Sequence, residues 1–223
     1  FCLAGVPIGS GNDWIKSCGV PDDVKSVVNL IASEAFGRMD IVRASSGEGR
    51  VSYMANIGGI GFDSHVCERV NRQKERGMRG RMIYLDALRH TMFHLSPIAI
   101  SVVADSEAVF SGEAYSLALG NGPGSGGGMR QVPLAVNDDG QLDYMIVPRA
   151  KLRSLVAEVP RLFSGTAHES GLIRTGRCRM LQIAPLDGRS ADIVELDGEI
   201  EGCLPLQVEI TGRQINVLKG PSR

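Results

Sequence analysis

The fold is decided by a segment in the middle of the chain, residues 98–119, which read IAISVVADSEAVFSGEAYSLAL. Its apolar runs at 98–104 and 107–119 predict the two strands of a hairpin. Outward from this hairpin, strands are predicted at 40–44, 50–62, 142–147, 178–184, 191–196, 204–210 and 214–218. Helices are predicted at 64–76, 81–95 and 150–163. From about residue 40 onward we therefore expect a mainly β domain.

The first forty residues have a different pattern. Residues 1–8 are apolar and predict a buried strand, and a glycine turn at 9–13 leads into a short helix that ends by Gly19. Asp22 is a suitable N-cap for a second helix, whose apolar residues repeat at helical spacing until Gly37. This part of the chain is α/β in character.

Composition excludes several classes of protein. The 223 residues are 43% hydrophobic and 22% charged, which is typical of an ordinary globular protein. Lys plus Arg number 24 against 25 Asp plus Glu, so no bulk charge draws the chain to nucleic acid. The five cysteines are scattered without a C-x-x-C pair, which argues against zinc and disulfides and favours a reducing cytoplasm. The longest apolar stretch, 95–104, is about half of the ~20 residues that a membrane span needs.

Two glycine-rich segments are candidates for ligand loops. Residues 9–13, GSGND, combine glycines, a hydroxyl on Ser10 and free N–H groups at a helix start, a combination that suits phosphate binding. The alternative is that Asn12 and Asp13 only cap the helix. Residues 120–128, GNGPGSGGG, contain a G-x-G-x-x-G pattern, but no helix follows, so a Rossmann dinucleotide loop is excluded. That segment approaches a ligand or another backbone closely, or is a flexible connection.

Two acidic turns and a few other side chains could carry chemistry. In NDDG at 137–140, Asp139 offers an oxygen ligand for a small cation, whereas the alternative is a plain hairpin turn. In LDGE at 196–199, Glu199 could act as a general base that Asp197 orients, and again a plain turn is the alternative. His90 and His94 are interpreted as ordinary helix residues, and serine hydrolase chemistry at Ser10 or Ser125 is weakly supported.

Taken in order, five motifs resemble one family, the bacterial diacylglycerol kinase-like lipid kinases, which are relatives of sphingosine and ceramide kinases. The motifs are GVPIGSGNDW at 5–14, NIGGIGFD at 56–63, GNGPGSGGG at 120–128, NDDGQL at 137–142 and LDGE at 196–199. Ser10 stands where the family loop usually has Thr, so the hydroxyl is kept. The matches run from residue 3 to about 218.

The resemblance implies an α+β fold related to NAD kinases. Residues 1–38 would be the C-terminal remnant of an α/β nucleotide-binding domain, and 39–223 a large β-sandwich domain with inserted helices. It further implies ATP and Mg²⁺ as cofactors, with Ser10, Gly11, Asn12 and Asp13 on the nucleotide side. A structural Mg²⁺ would be held by Asp139 and the carbonyls of Val136 and Gln141.

The resemblance also implies that Glu199 deprotonates the hydroxyl of a diacylglycerol-like lipid, with Asp197 beside it. We expect a cytoplasmic lipid kinase without nucleic-acid partners; a peripheral contact with the membrane surface and a homodimer are both compatible with this interpretation. The alternatives are an NAD kinase-like phosphotransferase and a non-catalytic module that binds a lipid or a partner.

The family's N-terminal GGDGT loop for the triphosphate does not occur in these 223 residues. Because residue 1 already lies within a predicted strand, we expect the chain to be a fragment that is inactive alone.

Overall fold

A computed structural model describes residues 2–8, 12–78, 82–94, 96–125, 128–188 and 192–220 of the chain. Within these residues, twelve strands join in one hydrogen-bonded network. The strands are β1 (Cys2–Leu3), β2 (Phe36–Ser46), β3 (Val51–Met54), β4 (Ile57–Gly61), β5 (Ile98–Ala104), β6 (Glu107–Gly120), β7 (Leu142–Pro148), β8 (Arg174–Cys178), β9 (Met180–Pro185), β10 (Ile193–Leu196), β11 (Glu199–Cys203) and β12 (Leu206–Leu218). The helices are α1 (Asp13–Ser17), α2 (Val24–Ala32), α3 (Phe62–Glu75), α4 (Met82–Phe93) and α5 (Leu152–Ser164), with a 3-10 helix at Ala167–Glu169.

The strand order is β11-β10-β4-β6-β5-β9-β12-β2-β3, with β7 pairing β6 and β8. The pairings are antiparallel except that of β1, which runs parallel to β12. Apolar side chains from most of these strands meet in one buried cluster, which includes Ile60, Ile100, Leu117, Ile146 and Ile183. Burying each such side chain contributes roughly 1.5–3 kcal/mol. The predicted β-sandwich with inserted helices is confirmed.

The entry into α3 depends on glycine. All five residues of β4, IGGIG, are buried, and the chain turns into α3 at Gly61, whose φ is 80°. A Cβ at Gly61 would collide with the Tyr115 carbonyl, and one at Gly59 would lie 2.8 Å from the Asp63 Cβ. Small residues in β4 therefore let α3 start directly against the sheet.

Several predicted boundaries are wrong. The strand predicted at 50–62 is two strands, β3 and β4, separated by a turn at Ala55 and Asn56. The second helix ends at Ala32 rather than near Gly37, because residues 36–40 pair with β12. Residues 4–8 are not in a strand, and β8 was not predicted as a separate strand. The strands predicted at 204–210 and 214–218 are one strand, β12, with an irregularity after Ile210.

The helices α1 and α2 pack against the sheet through a second apolar cluster. Val27 of α2 lies among Met39, Val217 and Leu218, with Trp14 of α1 against them. The predicted domain boundary between residues 38 and 39 lies within β2, and the division into two domains stays a prediction.

Every helix in the described part of the chain is too short or too polar to cross a bilayer.

Candidate functional site

A cavity of about 840 Å³ gathers four of the predicted site residues, Asn12, Asp13, Asp197 and Glu199. Its polar lining includes Asn12 and Asp13 of α1, Asp63 of α3, and Asp197 and Glu199 at the β10–β11 turn. Its apolar lining comes mainly from α3 and α4 and includes Phe62, Val66, Val70, Tyr84, Leu85, Leu88, Met129 and Phe163. One cavity therefore presents carboxylates and a large apolar surface to the same ligand.

The β10–β11 turn is fixed by the Asp197 carboxylate. Asp197 has a left-handed φ of 52°, and its two oxygens accept the backbone N–H groups of Ala55 at 2.6 Å, Asn56 at 2.9 Å and Ile57 at 3.1 Å. Burial raises the pKa of Asp197, while these three hydrogen bonds oppose the increase. The carboxylate thus ties the turn to the chain between β3 and β4, which explains why the predicted strand 50–62 is interrupted.

Gly198 is held from both sides. Its N–H donates to Glu195 Oε1 at 2.5 Å, and its carbonyl accepts from the Cys67 thiol and the Asn71 amide of α3, each at 3.0 Å. Its φ of 93° lies in the region that favours glycine. Because its neighbour is held so completely, Glu199 projects from a rigid turn into the cavity.

Glu195 is a functional candidate that sequence reasoning missed. It is buried, and burial together with the charges of Asp63, Asp197 and Glu199 raises its pKa to about 8, although the Gly198 N–H opposes the increase. Burial also raises the pKa of Asp63, whose carboxylate accepts from the Ser116 hydroxyl at 2.5 Å. The only sequence signal for Glu195 is a charged residue inside an otherwise apolar strand.

The phosphate-side loop is described in part. Ser10 and Gly11 lie outside the described residues, as does Gly9. Asn12, with a φ of 57°, precedes α1, and Asp13 is its first residue. Both line the cavity, so the structure brings the described part of this loop to the β10–β11 turn.

The second glycine segment packs mainly against protein. The N–H groups of Asn121 and Gly122 both donate to the Asn56 carbonyl at 2.8 Å, and a Cβ at Gly122 would collide with the Asn56 side chain. The sequence left three alternatives for this segment: a close approach to a ligand, a close approach to another backbone, or a flexible connection. Its described part shows the second of these. Ser125 also lines the cavity and accepts from the Gln131 amide at 3.1 Å, and no histidine lines the cavity among the described residues.

The Asp139 turn lies apart from the cavity and has a different partner. Asp139 Oδ1 accepts the Gln141 N–H at 3.0 Å, and Oδ2 contacts the Arg177 guanidinium. In this arrangement the Asp139 carboxylate is not suited to be a Mg²⁺ ligand, because the Arg177 guanidinium already neutralises its charge. The Mg²⁺ site of Asp139, Val136 and Gln141 stays a prediction, and it requires Arg177 to leave.

No cluster of three or more His, Cys, Asp or Glu side chains suited to a metal occurs in the part of the chain that the structure describes.

Comparison with known proteins agrees with the fold. Residues 57–219 match the family described as the YegS C-terminal NAD kinase beta sandwich-like domain. The chain is 26% identical over 218 residues to a "Diacylglycerol kinase" of Mycobacterium tuberculosis, covering 97% of this chain and 69% of that protein. It is 29% identical over 218 residues to a "Probable lipid kinase YegS-like" of Xanthomonas campestris pv. campestris, covering 96% and 68%. A crystal structure of a diacylglycerol kinase from Bacillus anthracis superposes on this chain with a TM-score of 0.75 at 22% sequence identity. The superposition covers 98% of this chain and 69% of the Bacillus anthracis chain, and it supports the fold.

Proposed function

We propose that this chain binds the lipid and carries the base of an ATP-dependent lipid kinase. The chain belongs to the YegS C-terminal NAD kinase beta sandwich-like domain family, within the diacylglycerol kinase-like lipid kinases. One observation carries the proposal: Glu199 lies in a cavity that is also lined by apolar side chains of α3 and α4. A carboxylate beside an apolar surface suits an alcohol on an otherwise hydrophobic molecule.

The apolar lining supports an acyl-bearing substrate. The cavity volume of about 840 Å³ falls in the range of sites for sizeable organic ligands. Each methylene group moved from water to such a surface contributes roughly 0.8 kcal/mol. A diacylglycerol-like lipid would gain most of its affinity from these side chains and its orientation from the polar ones.

In the proposed reaction, Glu199 accepts the proton of the lipid hydroxyl while that oxygen forms a bond to the terminal phosphorus of ATP. The bond from this phosphorus to the bridging oxygen breaks, and ADP leaves. Asp197 and Glu195 hold the turn that places Glu199, through Ala55–Ile57 N–H groups and the Gly198 N–H. Asn12 and Asp13, with Ser10 and Gly11 before them, are proposed to face the nucleotide. Mg²⁺ bound with the nucleotide would neutralise phosphate charge.

Lipid binding can be measured separately from transfer, because the single tryptophan, Trp14, lines the cavity. We expect dioctanoylglycerol to change Trp14 fluorescence saturably. Leu88→Gln, which puts an amide in the apolar lining, should weaken this binding about tenfold, whereas Leu134→Gln, at an exposed leucine outside the cavity, should not. Equal binding by the two variants would contradict the assignment of the lipid to this cavity.

Transfer is tested on the full-length protein, because this chain alone is expected to be inactive, with radiolabelled ATP and two acceptors, dioctanoylglycerol and NAD, followed by thin-layer chromatography. Label on the lipid is the expected result. Label on NAD alone would instead support an NAD kinase-like phosphotransferase, and lipid binding without any transfer would support a non-catalytic module.

A further inference from the structure

A second cavity, of about 580 Å³, lies on another face of α3. The α3 residues that line the first cavity recur at positions 62, 63, 66, 67, 70, 71 and 74. Those that line the second recur at positions 65, 68, 69, 72 and 73, which lie on a different side of the same helix, and Arg76 follows directly after its end. From α4, the second cavity receives His90, Thr91 and His94. The two cavities therefore share α3 as a common wall.

The second cavity has an excess of positive charge. Three arginines line it against one carboxylate, Glu68. Glu68 is engaged by Arg72 at 2.5 Å, and Arg69 is engaged by Asp86 at 2.9 Å. Among the described residues, no carboxylate lies within ion-pair distance of Arg76. A cavity with this excess of positive charge favours the binding of an anion.

The cavity also has a buried polar floor. Gln73 and Thr91 are 9% and 7% exposed. The Gln73 amide donates to Asp86 at 2.6 Å, whereas its oxygen is buried and has no hydrogen-bond partner in the described part of the chain. A free amide oxygen requires a donor, which a hydroxyl group of a ligand can supply and a fully ionised phosphate cannot.

The histidines add polar ring nitrogens to the same cavity. The rings of His90 and His94 stack with centroids 4.2 Å apart, and His94 Nδ1 lies 2.8 Å from the His90 carbonyl. Because a carbonyl only accepts, Nδ1 carries a proton, and Nε2 of the neutral ring is left to accept a hydrogen bond from a ligand hydroxyl.

We propose that this second cavity binds a small phosphate ester that carries free hydroxyl groups, of the glycerol phosphate class. Arg76 and Arg72 contact the phosphate, the imidazoles of His90 and His94 lie beside it, and Gln73 accepts from a hydroxyl. The ligand is either a soluble ester or the glycerol phosphate headgroup of a lipid. This site is separate from the kinase cavity and does not depend on the proposed function.

The four histidines allow a direct test. His65, His90 and His94 line the cavity, whereas His168 lies in the 3-10 helix outside it. In a titration of the whole chain with glycerol 3-phosphate, followed by proton NMR of the imidazoles, we expect the signals of the first three to shift with one common dissociation constant. The His168 signal should stay fixed. Unmoved signals for all four at about 10 mM ligand, a concentration at which even a weak site near 1 mM is ~90% filled, would overturn the proposal.

Matched variants locate the site. Arg76→Gln should weaken glycerol 3-phosphate binding about tenfold, as expected for the loss of one charge-assisted contact. Arg153→Gln removes an exposed arginine of α5, outside the cavity, and should leave binding unchanged. Equal affinities for Arg76→Gln and the unmodified chain would place the ligand elsewhere and overturn the proposal.

Two further ligands define the chemistry. Sulfate, which carries no hydroxyl group at neutral pH, should bind more weakly than glycerol 3-phosphate, because it cannot donate to Gln73; equal affinities would refute the hydroxyl contact. Vesicles of phosphatidylcholine with phosphatidylglycerol test the lipid source. Binding to them that Arg76→Gln weakens and Arg153→Gln does not would identify a headgroup site. Equal loss in both variants would indicate only a general surface charge and count against the cavity.

Discussion

At the residue scale, Glu199 differs from its acidic neighbours in its hydrogen bonding. The carboxylates of Asp63, Glu195 and Asp197 each accept hydrogen bonds from the protein, whereas no group in the described part of the chain donates to the exposed carboxylate of Glu199. A carboxylate of this kind can accept a proton without breaking the fold. A substitution of Glu199 can therefore lower the activity while leaving the stability of the fold unchanged.

In the full-length protein, we expect Glu199→Gln to lower the rate of lipid phosphorylation at least ~100-fold, because an amide cannot serve as a general base. The melting temperature should change little. Glu201→Gln is the control, since Glu201 lies two residues further along β11 and pairs with Arg50 and Ser52 outside the cavity. Near-normal turnover of Glu199→Gln would refute the assignment of the base.

Glu195 gives a prediction about pH. Its pKa is raised from 4.5 to about 8, mainly by burial. Between these values the unfolded chain has released the proton and the folded chain retains it. The free energy of unfolding therefore falls as the pH rises from 4.5 to about 8, by at most ~1.4 kcal/mol per pH unit from this group.

Glu195→Gln keeps an oxygen for the Gly198 N–H and removes the titration. Urea denaturation at pH 5, 6.5 and 8 should show a smaller loss of stability with pH than in the unmodified chain. Glu75→Gln, at an exposed position near the end of α3, should leave the pH dependence as it was. Identical slopes for Glu195→Gln and the unmodified chain would show that Glu195 is ionised in the folded state.

At the element scale, the β10–β11 turn acts as a clamp on the chain between β3 and β4. Asp197→Asn leaves one oxygen for three backbone N–H groups and turns an amide donor toward them. We expect a loss of about 1.5–3 kcal/mol in the free energy of unfolding, measured by urea denaturation. Asp22→Asn, at an exposed residue before α2, should cost far less. A loss no greater than that of the control would show that the three hydrogen bonds contribute little.

The turn before β7 is tied to β8 by Arg177, which contacts both Asp139 and Asp143. We expect Mg²⁺ to leave the melting temperature of the unmodified chain nearly unchanged. Arg177→Gln frees Asp139, so that Mg²⁺ should then raise the melting temperature by mass action. Adding Asp139→Asn to that variant should abolish the increase. A clear Mg²⁺ effect on the unmodified chain would instead show that Arg177 gives way to the metal.

At the scale of the whole molecule, local pattern predicted some elements and long-range contacts decided others. The bounds predicted for β5 are correct because an apolar run with breaks on both sides suffices to define them. By contrast, the interruption between β3 and β4 depends on Asp197, about 140 residues further along the chain. The burial of Glu195 and the second cavity beside α3 likewise exist only after the sheet has assembled. Asn12, Asp13, Asp197 and Glu199, which the motifs singled out, line one cavity, whereas Asp139 lies apart from it. Motif order carried no signal for the side chains that hold the β10–β11 turn.

The pairing of β2 with β12 has a consequence for how the molecule folds. It joins Phe36 to Leu218 and Ser46 to Leu206, whereas β5 and β6 are joined by a two-residue turn. Closing so long a loop costs entropy before any contact compensates for it, so the hairpin forms early and the β2–β12 contact late. During synthesis, the eleven residues of β2 emerge long before their long partner. β2 can pair with β3 as soon as β3 emerges, but its other edge stays unpaired until β12 follows. We therefore expect the nascent chain to be most prone to aggregation in that interval.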